Sequence, residues 1–360
     1  MRRFAAIHSS LFLAVVLGLG TASVLRLQAP SLPAAVEVRV GEAARRFESH
    51  YDAVFPAKTF GINFWAAVQY VAFGEGRSGV VVGSDDWLYS LEEFRGWPDG
   101  EAQIETRLQQ IVEAREQLAQ RGTTLVVALV PAKADIYAEH QGERRPDAVH
   151  AGLYERALGG LRARGLMAAD LRSALLACKQ DQAVFLRTDT HWTPDGARCA
   201  AAAIGTQIES AGLATQQPQT FHRQIDPARE HAGDLINFLP LAPHFAGLLP
   251  AFDRLVPEHT AAAEADLLGD APPPGFTLLG TSYSADPLWN FDGALRERLH
   301  ADVLNLAESG HGPFKPMQAY LRAPDSPQAP VLIWEIPVRY LPMEDTPASA
   351  QPPSHQGETA

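Results

Sequence analysis

The run Thr124-Leu125-Val126-Val127-Ala128-Leu129-Val130 limits the possible folds more than any other stretch of the chain. It is apolar after its first residue, rich in β-branched side chains, and bounded by Gly122 and Pro131. Such a run reads as a strand in the middle of a parallel sheet, covered on both faces. Parallel strands need helical crossovers between them, and the rest of the chain supplies the alternation. An amphipathic helix over 104–120 is stopped by Gly122, a helix over 153–164 leads to a short strand at 166–169, and a helical turn follows at 171–177. Residues 184–186 form a further extended piece, followed by an alanine-rich helix over 197–211. After a long interruption come an apolar strand at 276–279, a helix over 288–299 packed through Trp289, Phe291 and Leu295, a strand at 302–306, a short helix at 316–321 and a last strand at 331–334. A hairpin from 79–83 to 87–89, turned by Ser84-Asp85-Asp86, precedes them. The expected fold class is α/β, a doubly wound, mostly parallel sheet with helices on both faces.

In such a fold ligands bind outside the carboxyl ends of the strands, and two stretches there carry chemistry. One is Arg187-Thr188-Asp189-Thr190-His191-Trp192-Thr193-Pro194-Asp195-Gly196-Ala197. In extended backbone Asp189 and His191 point to the same side, so the carboxylate can hold one ring nitrogen and leave the other free as a base. Pro194 presets the first turn of the helix that follows. The other stretch is Gly280-Thr281-Ser282-Tyr283-Ser284, which cuts off the strand at 276–279 and lifts Ser282 onto a sharp turn. Ser282 is the expected nucleophile, His191 its base and Asp189 the orienter. Taken singly, an Asp-x-His pair or a Gly-x-Ser turn is more often incidental; together, each at the end of an extended segment, they favour catalysis.

These motifs, with Val82-Gly-Ser-Asp-Asp-Trp-Leu-Tyr89 and Trp334-Glu-Ile-Pro-Val-Arg339, resemble the alginate O-acetyltransferase family, periplasmic SGNH-hydrolase-like proteins that modify exopolysaccharides. The likeness covers roughly residues 80–340. In ordinary SGNH enzymes the serine precedes the Asp/His pair; here the order is permuted, as in the acetyltransferases, and triad geometry is indifferent to chain order. The resemblance implies an acetyl-serine intermediate, a polysaccharide acceptor such as alginate, a membrane-bound O-acyltransferase as acetyl donor, and other exopolysaccharide secretion subunits as partners. Some members carry a carbohydrate-binding module after the catalytic domain, whereas this chain ends soon after Arg339. Two other readings remain: a periplasmic carbohydrate acetylesterase with the same triad, and a non-catalytic polysaccharide-binding subunit.

Further candidates follow from position. Lys133 and Tyr137, just past the central strand, are expected to line the cleft, with Trp192 and Arg339 as further substrate-binding side chains. The amides of Ser282 or Tyr283, with the turn at Gly310 and Gly312, are expected to form an oxyanion hole, a tight turn being the plainer reading of those glycines. Glu335 and Arg339 are expected to pair. A net charge of −12 argues against nucleic acid, so attraction of a polyanion would fall to a local cluster of Lys133, Arg187 and Arg339.

Arg2 and Arg3 followed by an apolar run from Leu11 to Leu25 read as an export signal or a short uncleaved anchor over 1–28, placing the bulk of the chain in the periplasm. In that oxidising compartment Cys178 and Cys199, which bracket the Asp/His stretch, can close a disulfide that braces it; the alternative is two buried thiols. Residues 29–78 read as linker and N-terminal helices, 79–343 as the catalytic domain, and 344–360 as a disordered tail. Residues 215–274 read as an insertion without periodicity, a functional loop or lid. Its histidines (His222, His231, His244, His259) lack metal-ligand spacing and read as scattered surface residues, with Asp234 and Asn237 as possible polar contributors to the cleft. No nucleotide fingerprint, metal motif or cofactor signature is found.

Overall fold

The structure is a computed structural model that describes residues 2–26, 41–263, 273–323 and 326–344. The expected linker before residue 41, part of the insertion and the tail beyond residue 344 lie outside the described residues. The chain divides into two compact units, Met1–Gly74 with Leu239–Leu249, and Glu75–Phe238 with Pro250–Ala360.

The first unit holds the helices α1 (Arg2–Arg26), α2 (Glu42–Val54) and α3 (Lys58–Phe73). The helical pattern of residues 43–73 breaks at Phe55, which is extended (ψ 117°) because Pro56 disfavours helical backbone in the residue before it. α2 buries none of its residues, and α3 buries only Asn63, Ala66 and Ala67. The Asn63 amide donates to Pro240 O at 2.6 Å.

The second unit is built on a sheet of β3 (Thr124–Val130), β4 (Met167–Ala168), β9 (Phe276–Leu279), β10 (Val303–Asn305) and β11 (Val331–Pro337), in the order β10-β9-β11-β3-β4. Every neighbouring pair is parallel. A strand's alternation divides the core in two. Val126, Ala128, Val130, Leu278 and Ile333 face one cluster with α7 (Leu171–Cys178), α8 (Pro194–Ser210) and α10 (Phe291–Leu299). Leu125, Val127, Leu129, Leu279, Leu332, Trp334 and Ile336 face the other, with α4 (Gly100–Gln120), α6 (Leu153–Ala163) and α11 (Phe314–Arg322). With both faces covered, the central strands are apolar at nearly every position, Thr277 and Glu335 being the buried polar exceptions in β9 and β11, the doubly wound arrangement the sequence predicts. β1 (Val80–Val82) and β2 (Leu88–Ser90) form the expected hairpin, with Asp85 and Asp86 at positive φ. Cys178 and Cys199 are joined by a disulfide that ties the end of α7 to α8.

Four local features depart from the sequence reading. Residues 184–186 join no strand of the sheet; one antiparallel bridge, Phe185 to Trp192, closes the loop instead. The helix expected over 288–299 is split by Asn290 (φ 48°) into the turn Pro287–Trp289 and α10. The insertion is not structureless: β5 (Phe221–Ile225) pairs with β8 (Glu258–Ala262), and β6 (Arg229–His231) with β7 (Asp253–Leu255). β11 runs on to Pro337, which places Glu335 inside the sheet.

Candidate active site

β9 ends at Gly280, and the chain turns at once into the helical turn α9 (Ser282–Ala285). The neighbouring β11 presents Glu335, fully buried, alongside this turn. Its carboxylate accepts from Thr281 N at 2.7 Å, from Thr281 Oγ1 and from Ser284 Oγ at 3.1 Å. A Cβ on Gly280 would stand 2.4 Å from Glu335 Oε2, so only glycine lets the turn approach this anchor. Burial raises the Glu335 pKa. The result is that Ser284 is tied down while Ser282, half-buried, keeps its hydroxyl free to face His191.

Ser282 Oγ lies 2.7 Å from His191 Nε2, and His191 Nδ1 lies 2.6 Å from Asp189 Oδ1. The Asp/His pair is placed by a loop folded on itself and not by strand periodicity: Asp189 Oδ1 also accepts from the His191 backbone N–H at 3.0 Å, a local turn around the carboxylate. The other oxygen, Oδ2, accepts from His231 Nε2 at 2.9 Å and from Asp234 N at 3.0 Å. Burial alone would raise the Asp189 pKa, but the bonds from His191 and His231 hold it well below the usual carboxylate range. For His191, burial favours the neutral ring; the Asp189 carboxylate outweighs it and raises the pKa. His191 is also stacked on Trp289, with ring centroids 5.1 Å apart.

The rest of the loop is held peptide by peptide. Asp253 accepts from Arg187 N and Thr188 N, both at 2.8 Å, and Asp234 Oδ1 accepts from Thr190 N at 2.8 Å. The Tyr283 hydroxyl donates to Thr190 O at 2.7 Å. Gly233 packs so closely that a Cβ there would meet Thr188 O at 2.1 Å. Lys133 completes the frame: its ammonium donates to Leu88 O (2.6 Å), Arg187 O (2.9 Å) and Asp189 O (2.9 Å). Burial pushes its pKa down to about 8, so at neutral pH it still carries the proton those bonds need. Lys133→Met leaves three buried carbonyls without a donor and is expected to cost about 2–4 kcal/mol, read as a lower midpoint in denaturant.

Several sequence expectations are corrected by this geometry. Lys133 and Tyr137 do not line a cleft; both are buried, and the Tyr137 hydroxyl accepts from Val184 N at 3.0 Å. Trp192 is fully buried in the core against Tyr283 and Phe291. Arg339 is buried and pairs with Glu92 (Nε to Oε2, 3.1 Å), not with Glu335, and it donates to the Tyr283 hydroxyl at 3.3 Å. Arg187 is half-buried and donates to Ala251 O, so the expected cluster of Lys133, Arg187 and Arg339 does not form a basic surface. The Tyr283 amide is engaged with Thr281 Oγ1 at 3.4 Å, whereas the Ser282 amide opens α9, a position without an intrahelical acceptor. Gly310 and Gly312 sit at positive φ (79° and 64°), as turn glycines do.

His231, read as a surface residue, is a second partner of Asp189, while His222, His244 and His259 are exposed. Asp253 and Glu93 were invisible as site residues. Glu93 caps the turn Lys133–Ile136 by accepting from Lys133 N and Ala134 N. The one local signal was the polar run His231-Ala232-Gly233-Asp234, where a glycine sits between two acid–base groups. Asp189, His191 and Asp234 are also close enough together to hold a cation, but both Asp189 oxygens and both ring nitrogens of His191 are already spent on one another and on Ser282, His231 and Asp234 N.

A parallel α/β sheet carrying serine, imidazole and carboxylate in one hydrogen-bonded line is an arrangement that recurs among acyl-transfer enzymes of several folds, SGNH-hydrolase-like proteins among them. Residues 80–338 match the family described as "SGNH hydrolase-like domain, acetyltransferase AlgX", and the chain belongs to that family. It is 43% identical to the probable alginate O-acetylase AlgJ of Pseudomonas aeruginosa, over 91% of this chain and 87% of that protein. It is 30% identical to the alginate biosynthesis protein AlgX of the same organism, over 72% of this chain and 56% of that protein. Among solved structures, the O-acetyltransferase domain of Pseudomonas putida AlgJ superposes with a TM-score of 0.71 at 41% identity, covering 77% of this chain and 96% of that one.

Proposed function

We propose that the protein moves an acetyl group, by way of acetyl-Ser282, onto hydroxyls of an exported polysaccharide, alginate or a close relative, in the periplasm. The observation that carries this reading is the unbroken line from Ser282 Oγ through His191 to Asp189. In the first half-reaction His191 Nε2 takes the proton of Ser282 as Oγ forms its bond to the acetyl carbonyl, and gives it to the departing group. In the second, Nε2 takes the proton of a sugar hydroxyl as its oxygen attacks the acetyl carbon, and returns it to Ser282 Oγ as the bond between that oxygen and the acetyl carbon breaks. Asp189 stabilises the imidazolium in both. The Ser282 amide, at the first position of α9, is the donor this reading assigns to the oxyanion. A membrane-bound O-acyltransferase as source of the acetyl group, and association with other secretion subunits, fit the same reading. Near the loop, Arg198, Arg223 and Arg254 line a groove of about 280 Å³ with Asp195 and Glu258; Arg198 and Arg223 are paired with those carboxylates, which leaves Arg254 as the lining arginine for a uronate carboxylate to meet.

The test uses the purified chain, a small acetyl-ester donor and oligomannuronate. The expected result is acetylated oligosaccharide together with an acetyl group trapped on the peptide that holds Ser282. Free acetate as the sole product would make the protein an esterase; neither product would leave the polysaccharide-binding reading.

A further inference from the structure

The two units differ in what they leave to solvent. Among the described residues, every large exposed apolar side chain except Ile225, Phe252 and Val256 belongs to the first unit. On α3 these are Phe60, Phe64, Trp65, Val71 and Phe73, with Trp65 59% exposed. Phe60, Phe64 and Val71, and beside them Gly61, Trp65 and Ala72, recur at helical spacing, so they form one stripe. Between Thr59 and Gly74 the sequence holds no charged residue. A helix of 16 residues, about 24 Å long, therefore turns an aromatic face outward with no charge of its own on it, Phe60 and Phe64 meeting Phe245, and Phe60 the His244 ring, at its edge.

We propose that α3 lies in the plane of a lipid bilayer, its Phe60–Phe64–Trp65 face sunk to the level where headgroups meet acyl chains. A protein partner would favour a more strongly polar rim around the apolar centre than the uncharged Asn63, Gln69 and Tyr70 of this helix supply. Tryptophan and phenylalanine on an uncharged face are the composition of an interfacial anchor. The same unit holds a second helix with an exposed apolar run: α1 leaves Leu11, Phe12, Leu13, Val15, Val16 and Leu17 exposed. No helix among the described residues is long and apolar enough to cross a membrane, and α3 accordingly lies along the interface. This seat does not depend on the acyl-transfer reading.

The test adds the full chain to phosphatidylcholine vesicles whose acyl chains carry bromine, a contact quencher of tryptophan. Part of the emission of the six tryptophans is expected to be quenched, and that part is expected to vanish in Trp65→Phe. In Phe60→Ser/Phe64→Ser the quenching is expected to fall, while hydrolysis of a small acetyl ester by the second unit stays unchanged and certifies the fold. Quenching that is the same in Trp65→Phe as in the parent overturns the proposal. So does an unquenched Trp65 in a protein whose self-association, by sedimentation, is lost on Phe60→Ser/Phe64→Ser, because a second copy then covers the face.

Discussion

Ser282→Ala is expected to lower turnover of a small acetyl ester at least about 10³-fold and to abolish the covalent acetyl adduct, with stability changed by no more than about 0.5 kcal/mol. The magnitude follows from what the hydroxyl does. It is the only group of the triad that bonds to the acetyl carbon, and its loss leaves His191 with water as the nearest oxygen. Fold stability is spared because the turn is held by its neighbours. Thr281 and Ser284 make the bonds to Glu335, and the Trp289 indole donates to the backbone carbonyl of Ser282, which alanine keeps. The neighbouring hydroxyl gives the control. Ser284 is buried and donates to Glu335, so Ser284→Ala is expected to lose stability and to keep turnover within about tenfold of the parent. Activity lost with Ser284 and retained without Ser282 would exchange the roles of the two serines and break the proposed mechanism.

The sheet was legible because burial on both faces leaves a plain mark. Thr124–Val130 and Phe276–Leu279 are apolar at almost every position, and each ends at a glycine or proline. The nucleophile was legible for the same reason, since a glycine turn after a buried strand is a local pattern. The Asp189–His191 pair was found through a wrong intermediate: the two side chains converge because the chain curls around the Asp189 carboxylate, not because a strand alternates. The framework around the pair was hidden because it is assembled from afar. Lys133, Asp253, His231 and Glu93 reach the loop or its support across many tens of residues. A lysine at the end of a strand reads as a ligand for an anionic substrate; only packing reveals that its ammonium is consumed by three carbonyls. Arg339 misled in the same way. The cations nearest the motif were structural, and two of the arginines that line the nearby groove, Arg223 and Arg254, lie in the insertion, whose short ladders have too few residues to show periodicity.

Asp189→Asn is expected to reduce kcat about 10⁴-fold and to move the acid limb of the pH profile downward. In the parent, His191 acts as a base only when neutral, so activity rises as pH climbs through its pKa. Asp189 raises that pKa above the ordinary 6.5, and the half-activity point should therefore lie above about 6.5. Asparagine keeps the shape but replaces one acceptor oxygen by an NH₂ donor, and neither orientation satisfies the site. With the amide oxygen toward His191, the NH₂ confronts the Asp234 backbone N–H, which can only donate. With the oxygen toward His231 and Asp234, the NH₂ faces His191 Nδ1 and the His191 backbone N–H. The ring must then carry its proton on Nε2, where it donates to Ser282 and cannot take the proton away. The contrast is Asp234→Asn. Its Oδ1 holds the Thr190 peptide, while its Oδ2 stands 4.0 Å from His191 Nδ1, too far for a hydrogen bond. That substitution can keep the Thr190 bond through the amide oxygen and is expected to cost about tenfold at most. Measuring kcat against pH for the three proteins separates the two carboxylates: if Asp234→Asn proves as damaging as Asp189→Asn, the proton on His191 is steered by Asp234 and the assignment of Asp189 as its orienter fails.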